Sequence, residues 1–263
     1  MTVSLDGYKI LVTRPGLQGE NLCRLINDAG GEAIPFPVIR IVPSQQPGPG
    51  QFRQLLAGSS HIIFVSRNAV VFAAQLAGDL QASLQGKIVF AVGAGTLQEL
   101  EERGVVDIRS PGPQSGSEAV LALDELEESQ ISGRHILIIR GNGGRELLRE
   151  TLAARGAQVR YADVYQRIKP DVDQVIVDSL WQDTRPDVIV ITSAQGLKNL
   201  LVMSGEANRE NLSGKRLVVM SSRLKSLAEN SGFTFPAMVA GEQTDQGLLQ
   251  AIGQSVELMR NEC

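Results

Sequence analysis

Ile10-Leu11-Val12-Thr13-Arg14 near the start of the chain and Ile136-Leu137-Ile138-Ile139-Arg140 in its middle follow one pattern, an aliphatic run that closes on an arginine. The two superpose at an offset of 126 residues, and in that register Glu20 falls on Glu146, Leu22 on Leu148 and Gly30 on Gly156. Further along, Arg40, Ile41 and Pro43 fall on Arg167, Ile168 and Pro170, and Ser66 on Ser193, at an offset of 127. Gly86-Lys87 falls on Gly214-Lys215 at 128. A register that drifts by two residues over the whole length reads as two copies of one unit of about 127 residues, each of ordinary domain size.

The unit is α/β. Short Ile/Val/Leu-rich runs at 9–13, 62–65, 88–92, 136–139, 188–192 and 217–220 are each followed by ten or more residues of helical pattern. Near-continuous apolar runs are expected when both faces of a parallel sheet are covered. Gly30-Gly31 and Gly156 end the first helix of each copy, as glycines do after a last helical turn. Residues 43–50 (PSQQPGPG) read as a loop or linker and 110–117 (SPGPQSGS) as a second loop. The acidic run at 124–128 reads as a solvated helix face. Residues 35–43 and 161–170 are equivalent extended segments, each closed by a proline. They are either ordinary strands or paired connectors between two lobes, and the sequence leaves both open.

Composition excludes several classes. The 263 residues are 43% hydrophobic and 21% charged, as in a soluble globular chain. Lys+Arg 25 against Asp+Glu 29 gives a net charge of −4, so there is no global basic field for nucleic acid or an anionic membrane, although a local basic cleft is allowed. Cys23 and Cys263 are read as free thiols in a reducing compartment. The N-terminus lacks the pattern of a signal peptide, and the longest apolar run, 88–95, is far short of the ~20 residues of a membrane span. A cytoplasmic protein is expected. With His61 and His135 alone, a Cys/His metal site is not expected.

The chemistry must come from elsewhere than the familiar motifs. Gly141-Asn142-Gly143-Gly144-Arg145-Glu146 and Gly93-Ala94-Gly95-Thr96-Leu97-Gln98 both lack the third glycine of a dinucleotide fingerprint. P-loop, HExxH, GxSxG and CxxC patterns are absent. Small polar residues recur instead at strand carboxyl ends: Thr13-Arg14, Ser66-Arg67-Asn68, Gly93-Ala94-Gly95-Thr96, Arg140-Gly141-Asn142, Thr192-Ser193-Ala194-Gln195 and Ser221-Ser222-Arg223. Ligands of parallel α/β sheets bind at that edge, where helix N-termini favour anions. The competing explanation is that Ser, Thr and Asn simply cap the helices. Six such ends in two copies suggest a cleft between lobes for a polyanionic small molecule, with Arg14, Arg67, Arg140 and Arg223 as its positive charge. Tyr165 falls on Val38 in the 127 register and so breaks the repeat. It is either a packed strand residue or a phenol presented to the cleft, where it could donate the proton that tyrosine ordinarily keeps at neutral pH.

Leu11-Val12-Thr13-Arg14-Pro15, Phe64-Val65-Ser66-Arg67-Asn68-Ala69-Val70, Val92-Gly93, Arg140-Gly141-Asn142-Gly143-Gly144-Arg145, Val164-Tyr165-Gln166-Arg167 and Ile191-Thr192-Ser193-Ala194-Gln195-Gly196 occur in that order. With this ordered set and its length, the chain resembles the uroporphyrinogen-III synthase family over essentially its whole extent. The resemblance implies two flavodoxin-like parallel-sheet lobes joined by a two-stranded connector, with an internal pseudo-duplication. It places 1–36 plus 169–263 in one lobe, 43–162 in the other, and 37–42 and 163–168 in the connector strands. It implies conversion of hydroxymethylbilane, a linear tetrapyrrole with eight carboxylates, to uroporphyrinogen III in haem biosynthesis. The ring-A hydroxyl is lost as water to give an azafulvene, ring D attacks through its substituted carbon to give a spiro intermediate, and fragmentation and reclosure leave ring D inverted. No cofactor or metal is implied. Unaided, the bilane closes to isomer I, so positioning matters more than strong acid–base groups.

By the same resemblance Tyr165 matches the tyrosine that assists departure of the hydroxyl, and Ser66 and Ser193 match strand-end serines facing the substrate. Thr13, Arg14, Arg67, Asn68, Gly93, Thr96, Arg140, Gly141, Gly144, Ala194, Gln195, Ser221 and Ser222 complete the expected binding set. Met220-Ser221-Ser222 departs from the Gly-x-Thr-Thr-like turn of many relatives. A monomer receiving its substrate from hydroxymethylbilane synthase is expected, with no nucleic-acid or membrane partner. Three readings compete: a non-catalytic two-lobed binding protein for a polyanion, a nucleotide-binding or glycosyltransferase-like enzyme, and a receiver-like regulator. The second would need a phosphate-gripping glycine turn and the third an acidic cluster after the first strand, where Thr13-Arg14 stands.

Overall fold

The aliphatic runs become parallel strands with both faces covered. The computed structural model describes residues 3–112, 116–144 and 146–262; Arg145, Cys263 and positions 113–115 of the second loop lie outside the described residues. The strands are β1 (Lys9–Val12), β2 (Glu32–Pro35), β3 (Arg40–Pro43), β4 (His61–Phe64), β5 (Ile88–Ala91), β6 (Ile108–Arg109), β7 (His135–Gly141), β8 (Gln158–Ile168), β9 (Val188–Ile191), β10 (Arg216–Val219) and β11 (Met238–Val239). The six runs singled out in the sequence are β1, β4, β5, β7, β9 and β10, with ends within two residues of expectation.

The chain divides into two compact units. Unit 1 runs to Arg40 and resumes at Ile168; unit 2 is Ile41–Arg167. The unit 1 sheet has the order β11-β10-β9-β1-β2, and its four strand pairs are parallel. One face packs Leu11, Ile189, Ile191, Leu217 and Val219 against Trp181, Leu197 and Leu224. The other packs Ile10, Val12, Val188, Val190 and Val218 against Leu22, Ile26, Leu248 and Ile252. The alternation is that of a strand with period two, apolar on both sides.

The second sheet has the order β3-β8-β7-β4-β5-β6, parallel at β8/β7, β7/β4, β4/β5 and β5/β6. Ile62, Phe64, Val89, Leu137, Ile139, Ala162 and Val164 face one side, and Ile63, Phe90, Ile136 and Ile138 the other. Ile62, Ile63 and Phe64 have no exposed surface, and each such side chain is worth roughly 1.5–3 kcal/mol relative to leaving it in water.

Two segments differ in detail from the sequence reading. Pro43 closes β3 and the next helix begins at Pro49, so the loop there is 44–48. The acidic run is a single 3-10 turn, Asp124–Leu126, followed by the short helix Glu128–Ile131, with Glu125 paired to Arg109 at 2.9 Å. Gly30 and Gly156 follow the helices Gly16–Asp28 and Leu147–Ala154 at φ +86° and +82°, conformations that a side chain would strain. Among the described residues no helix is long and apolar enough to cross a membrane.

Candidate active site

One irregularity positions the site. β7 and β8 pair in step from His135↔Gln158 to Arg140↔Asp163, and then Gly141 pairs with Tyr165, skipping Val164. Tyr161 packs on one face of the sheet and Ala162 and Val164 on the other. Strict alternation would send Tyr165 to the face of Tyr161. The bulge re-aims it onto the face of Val164, as bulges do. There it stacks on Phe72, ring centroids 5.8 Å apart, and is 1% exposed. Gly141 makes the room: a Cβ at that position would lie 2.5 Å from Tyr165 Cζ.

The buried phenol oxygen has two polar partners. Arg167 Nη2 donates to it at 2.9 Å, and Ser66 Oγ lies 3.1 Å away. Ser66 is also the N-cap of the helix Arg67–Ala77, its Oγ accepting from Ala69 N at 3.1 Å. Ser66, Arg140, Gly141, Gly144 and Tyr165, five of the expected residues, line one cavity of about 210 Å³, joined by Gly143, Tyr161 and Arg167. A larger cavity of about 470 Å³ in unit 1 is lined by Val12, Arg14, Cys23, Arg24, Pro35 and Pro37; there Arg14 pairs with Asp245 and Arg24 donates to Asn21, and the smaller cavity is the one that holds the phenol.

The arginines are mostly spoken for. Arg14 is paired with Asp245, which Asn21 also donates to. Arg67 donates to Glu99 at 2.7 Å, and Arg103 holds the same carboxylate. Burial alone would push the Glu99 carboxyl up, but the hydrogen bonds and charges of the two arginines hold it below the usual range. Arg140 bonds Asp163 at 2.9 Å and Glu146 at 3.0 Å and lies 3.4 Å over the ring of Tyr161. Tyr161 donates to Glu146 at 2.9 Å; burial, then that bond, pushes its pKa up to about 12, so it is a poor acid. Of the four arginines expected as local positive charge, Arg14, Arg67 and Arg140 are thus each paired with carboxylates of their own unit. Arg167 and Arg223 have no ion-pair partner among the described residues, and Arg167 is the one that reaches the cavity.

The remaining expected residues lie outside that cavity, each within its own unit. Thr13 is buried, its hydroxyl donating to Val190 O at 2.7 Å and so tying β1 to β9. Ser193 and Ser221 cap the helices Ala194–Ser204 and Ser222–Glu229, accepting from Gly196 N at 3.0 Å and Leu224 N at 3.3 Å. Gln195 donates to Asn199, which in turn donates to Val38 O. Ala194 and Ser222 open their helices, Gly93 precedes the helix Ala94–Glu102, and Thr96 is buried in its first turn. Asn68 is half-buried in the first turn of its helix. His61 is buried against Phe90, and burial, then the charge of Arg134, lowers its pKa. Among the described residues no group of three or more His, Cys, Asp or Glu could hold a metal ion.

Arg167 was absent from the set expected from sequence. Strand periodicity could have found it, since it stands two residues beyond Tyr165 on β8.

Residues 20–250 match the family described as Uroporphyrinogen-III synthase HemD. The uroporphyrinogen-III synthase of Salmonella typhimurium is 36% identical over 92% of this chain and 99% of its own length. That of Escherichia coli is 37% identical over 92% and 99%. In fold, the crystal structure of a mutant uroporphyrinogen III synthase from Thermus thermophilus superposes with a TM-score of 0.60 at 17% identity, covering 95% of this chain and 99% of that one. The Helicobacter pylori uroporphyrinogen-III synthetase does so with 0.62 at 14% identity, with the same coverage.

Proposed function

The chain belongs to the uroporphyrinogen-III synthase family, and from that premise we propose that it cyclises hydroxymethylbilane to uroporphyrinogen III at the carboxyl edge of the unit 2 sheet. The observation that carries the siting is the Tyr165 hydroxyl, held by Ser66 and Arg167 at a cavity in unit 2. The cavity has room for one substituted pyrrole ring rather than a whole tetrapyrrole. A pyrrole carrying the leaving hydroxyl fits that size, and the rest of the bilane lies outside it. Loss of the hydroxyl as water needs a proton, and the phenol is its source. Tyr165→Phe lowers the rate about 10–100-fold, because water can substitute in part.

The substrate's carboxylates call for donors. With Arg14, Arg67 and Arg140 paired internally, that work falls to Arg167, the glycine-turn backbone at Gly143 and Gly144, and the N-terminus of the helix that Ser66 caps, all in unit 2. Family membership weighs against the non-catalytic binding reading.

The same reading takes the chain as two copies of one flavodoxin-like unit that have exchanged parts. Two facts support it. Unit 1 has β2-β1-β9-β10-β11 in space, the 2-1-3-4-5 order of flavodoxin. Unit 2 has β8-β7-β4-β5-β6, the same order once β7 and β8 are counted first. β1 and β2 of the first copy thus stand with β9–β11 of the second, and β7 and β8 with β4–β6. Residues 37–42 and 163–168 are then the connectors, for which the neighbouring places of β3 and β8 speak. The protein works as a cytoplasmic monomer fed by hydroxymethylbilane synthase.

The test is a coupled assay. Hydroxymethylbilane is generated in place, the protein is added, and oxidised products are separated by isomer. Predominant isomer III is expected; isomer I alone, as without protein, overturns the proposal.

A further inference from the structure

We propose that Ser66, rather than Tyr165, hands the proton to the departing hydroxyl, and that Tyr165 reloads Ser66 under the direction of Arg167. The proposal rests on the assignment of this cavity to the cyclisation and deepens it.

Hydrogen-bond inventory and burial together point to the direction. A guanidinium has donors and no acceptor, so at the 2.9 Å contact with Arg167 Nη2 the Tyr165 oxygen accepts. The proton of the phenol points elsewhere, and its other polar neighbour is Ser66 Oγ at 3.1 Å. That oxygen has two lone pairs and one proton. One lone pair takes Ala69 N–H in the helix cap, and the other takes the phenol proton. The proton of Ser66 then has no acceptor among the described residues, and Ser66 lines the cavity. Burial agrees: Tyr165 is 1% exposed beneath Phe72, whereas Ser66 is half-buried.

The step balances. The C–O bond of the hydroxymethyl group breaks with its electron pair going to oxygen, which takes the Ser66 proton and leaves as water. Ser66 takes the Tyr165 proton in the same motion, and the negative charge left on the phenol oxygen faces Arg167. The proton that ring D sheds on regaining aromaticity returns along the same path. Arg167 touches no reacting atom in this scheme; it is a positioning residue that keeps the phenol proton turned toward Ser66.

The test measures first-turnover rates of isomer III formation in the intact protein. Ser66→Asn keeps a good helix cap but cannot relay a proton, and Ser66→Thr keeps both abilities. Tyr165→Phe and Ser66→Asn are each expected to be about 10–100-fold slower, with the double variant no slower than the slower single one, because the two act as a unit. Ser66→Thr, which keeps the hydroxyl, recovers most of the rate that Ser66→Asn loses. In mixtures of light and heavy water the wild-type rate follows a curved proton inventory, two protons being in flight, and Arg167→Met makes it linear, which a merely structural role would not do. A wild-type rate in Ser66→Asn beside a slow Tyr165→Phe overturns the relay and leaves Tyr165 the direct donor. Multiplicative losses in the double variant, or a linear inventory in the wild type, overturn it as well. Wild-type rates in both single variants sink the proton-donor reading of the cavity, and absence of isomer III from the wild type sinks the proposed function itself.

Discussion

A Cβ on Gly141 would lie 2.5 Å from Tyr165 Cζ and 2.9 Å from its Cδ2, both atoms of a ring packed on Phe72. Gly141→Ala therefore drives the phenol away from Ser66 and Arg167, and overpacking of this kind costs about 1–3 kcal/mol. The variant should lose isomer III activity about as far as Tyr165→Phe does while melting at a lower temperature; wild-type activity would show that the ring's position is immaterial. Glu99 gives a second prediction. Its pKa is lowered by Arg67 and Arg103, so it adds stability above the ordinary glutamate value of about 4.3, and that stability is lost as pH falls below it through the depressed value. Glu99→Gln should thus be less stable than the wild type at neutral pH and nearly equal to it in strong acid. Urea midpoints at the two pH values check this, and an unchanged difference would refute the pairing. Tyr165 drew notice in the sequence because it breaks the register of the proposed repeat. The engagement of Arg14, Arg67 and Arg140 was not, because Asp245, Glu99 and Asp163 meet them only through the fold.

At the scale of elements, the strand-end serines hold two jobs that sequence could not separate. Ser193 accepts from Gly196 N and so caps the helix Ala194–Ser204. Ser193→Ala should cost about 1 kcal/mol of stability, and Ser193→Asn much less. Chemical denaturation of the two variants checks the cap; equal stability of Ser193→Ala and the wild type would leave the serine free for substrate alone. The six buried aliphatic strands were readable because burial on both faces writes itself as an unbroken Ile/Val/Leu run. β6 and β11 have two residues each, too few to show any period, and β2 and β3 are edge strands half open to water. The bulge in β8 left no sequence mark at all: period two across 158–168 points Tyr165 to the wrong face, and only the pairing of Gly141 with Tyr165 reveals the shift.

At the scale of the whole molecule, the repeat proposed from the sequence and the two compact units do not coincide, and this has a consequence for folding. Unit 2 is one continuous stretch with its own six-stranded sheet and apolar clusters on both faces. Unit 1 needs two stretches: β1 lies inside its sheet between β2 and β9, and the helix Gly16–Asp28 shares a core with the helix Asp245–Glu262. A fragment spanning 40–168 should therefore fold alone and melt cooperatively. A fragment spanning 168–262 lacks β1, so β9 is left with an open apolar edge in place of its partner, and it should not fold. Cutting instead at the repeat boundary near residue 127 splits both sheets, since β7 and β8 would leave β4 and β1 would leave β9. Circular dichroism melts and amide exchange on the three fragments decide the matter. A cooperative melt of a 1–127 piece, with none from 40–168, would mean that the folding unit follows the sequence repeat rather than the sheets.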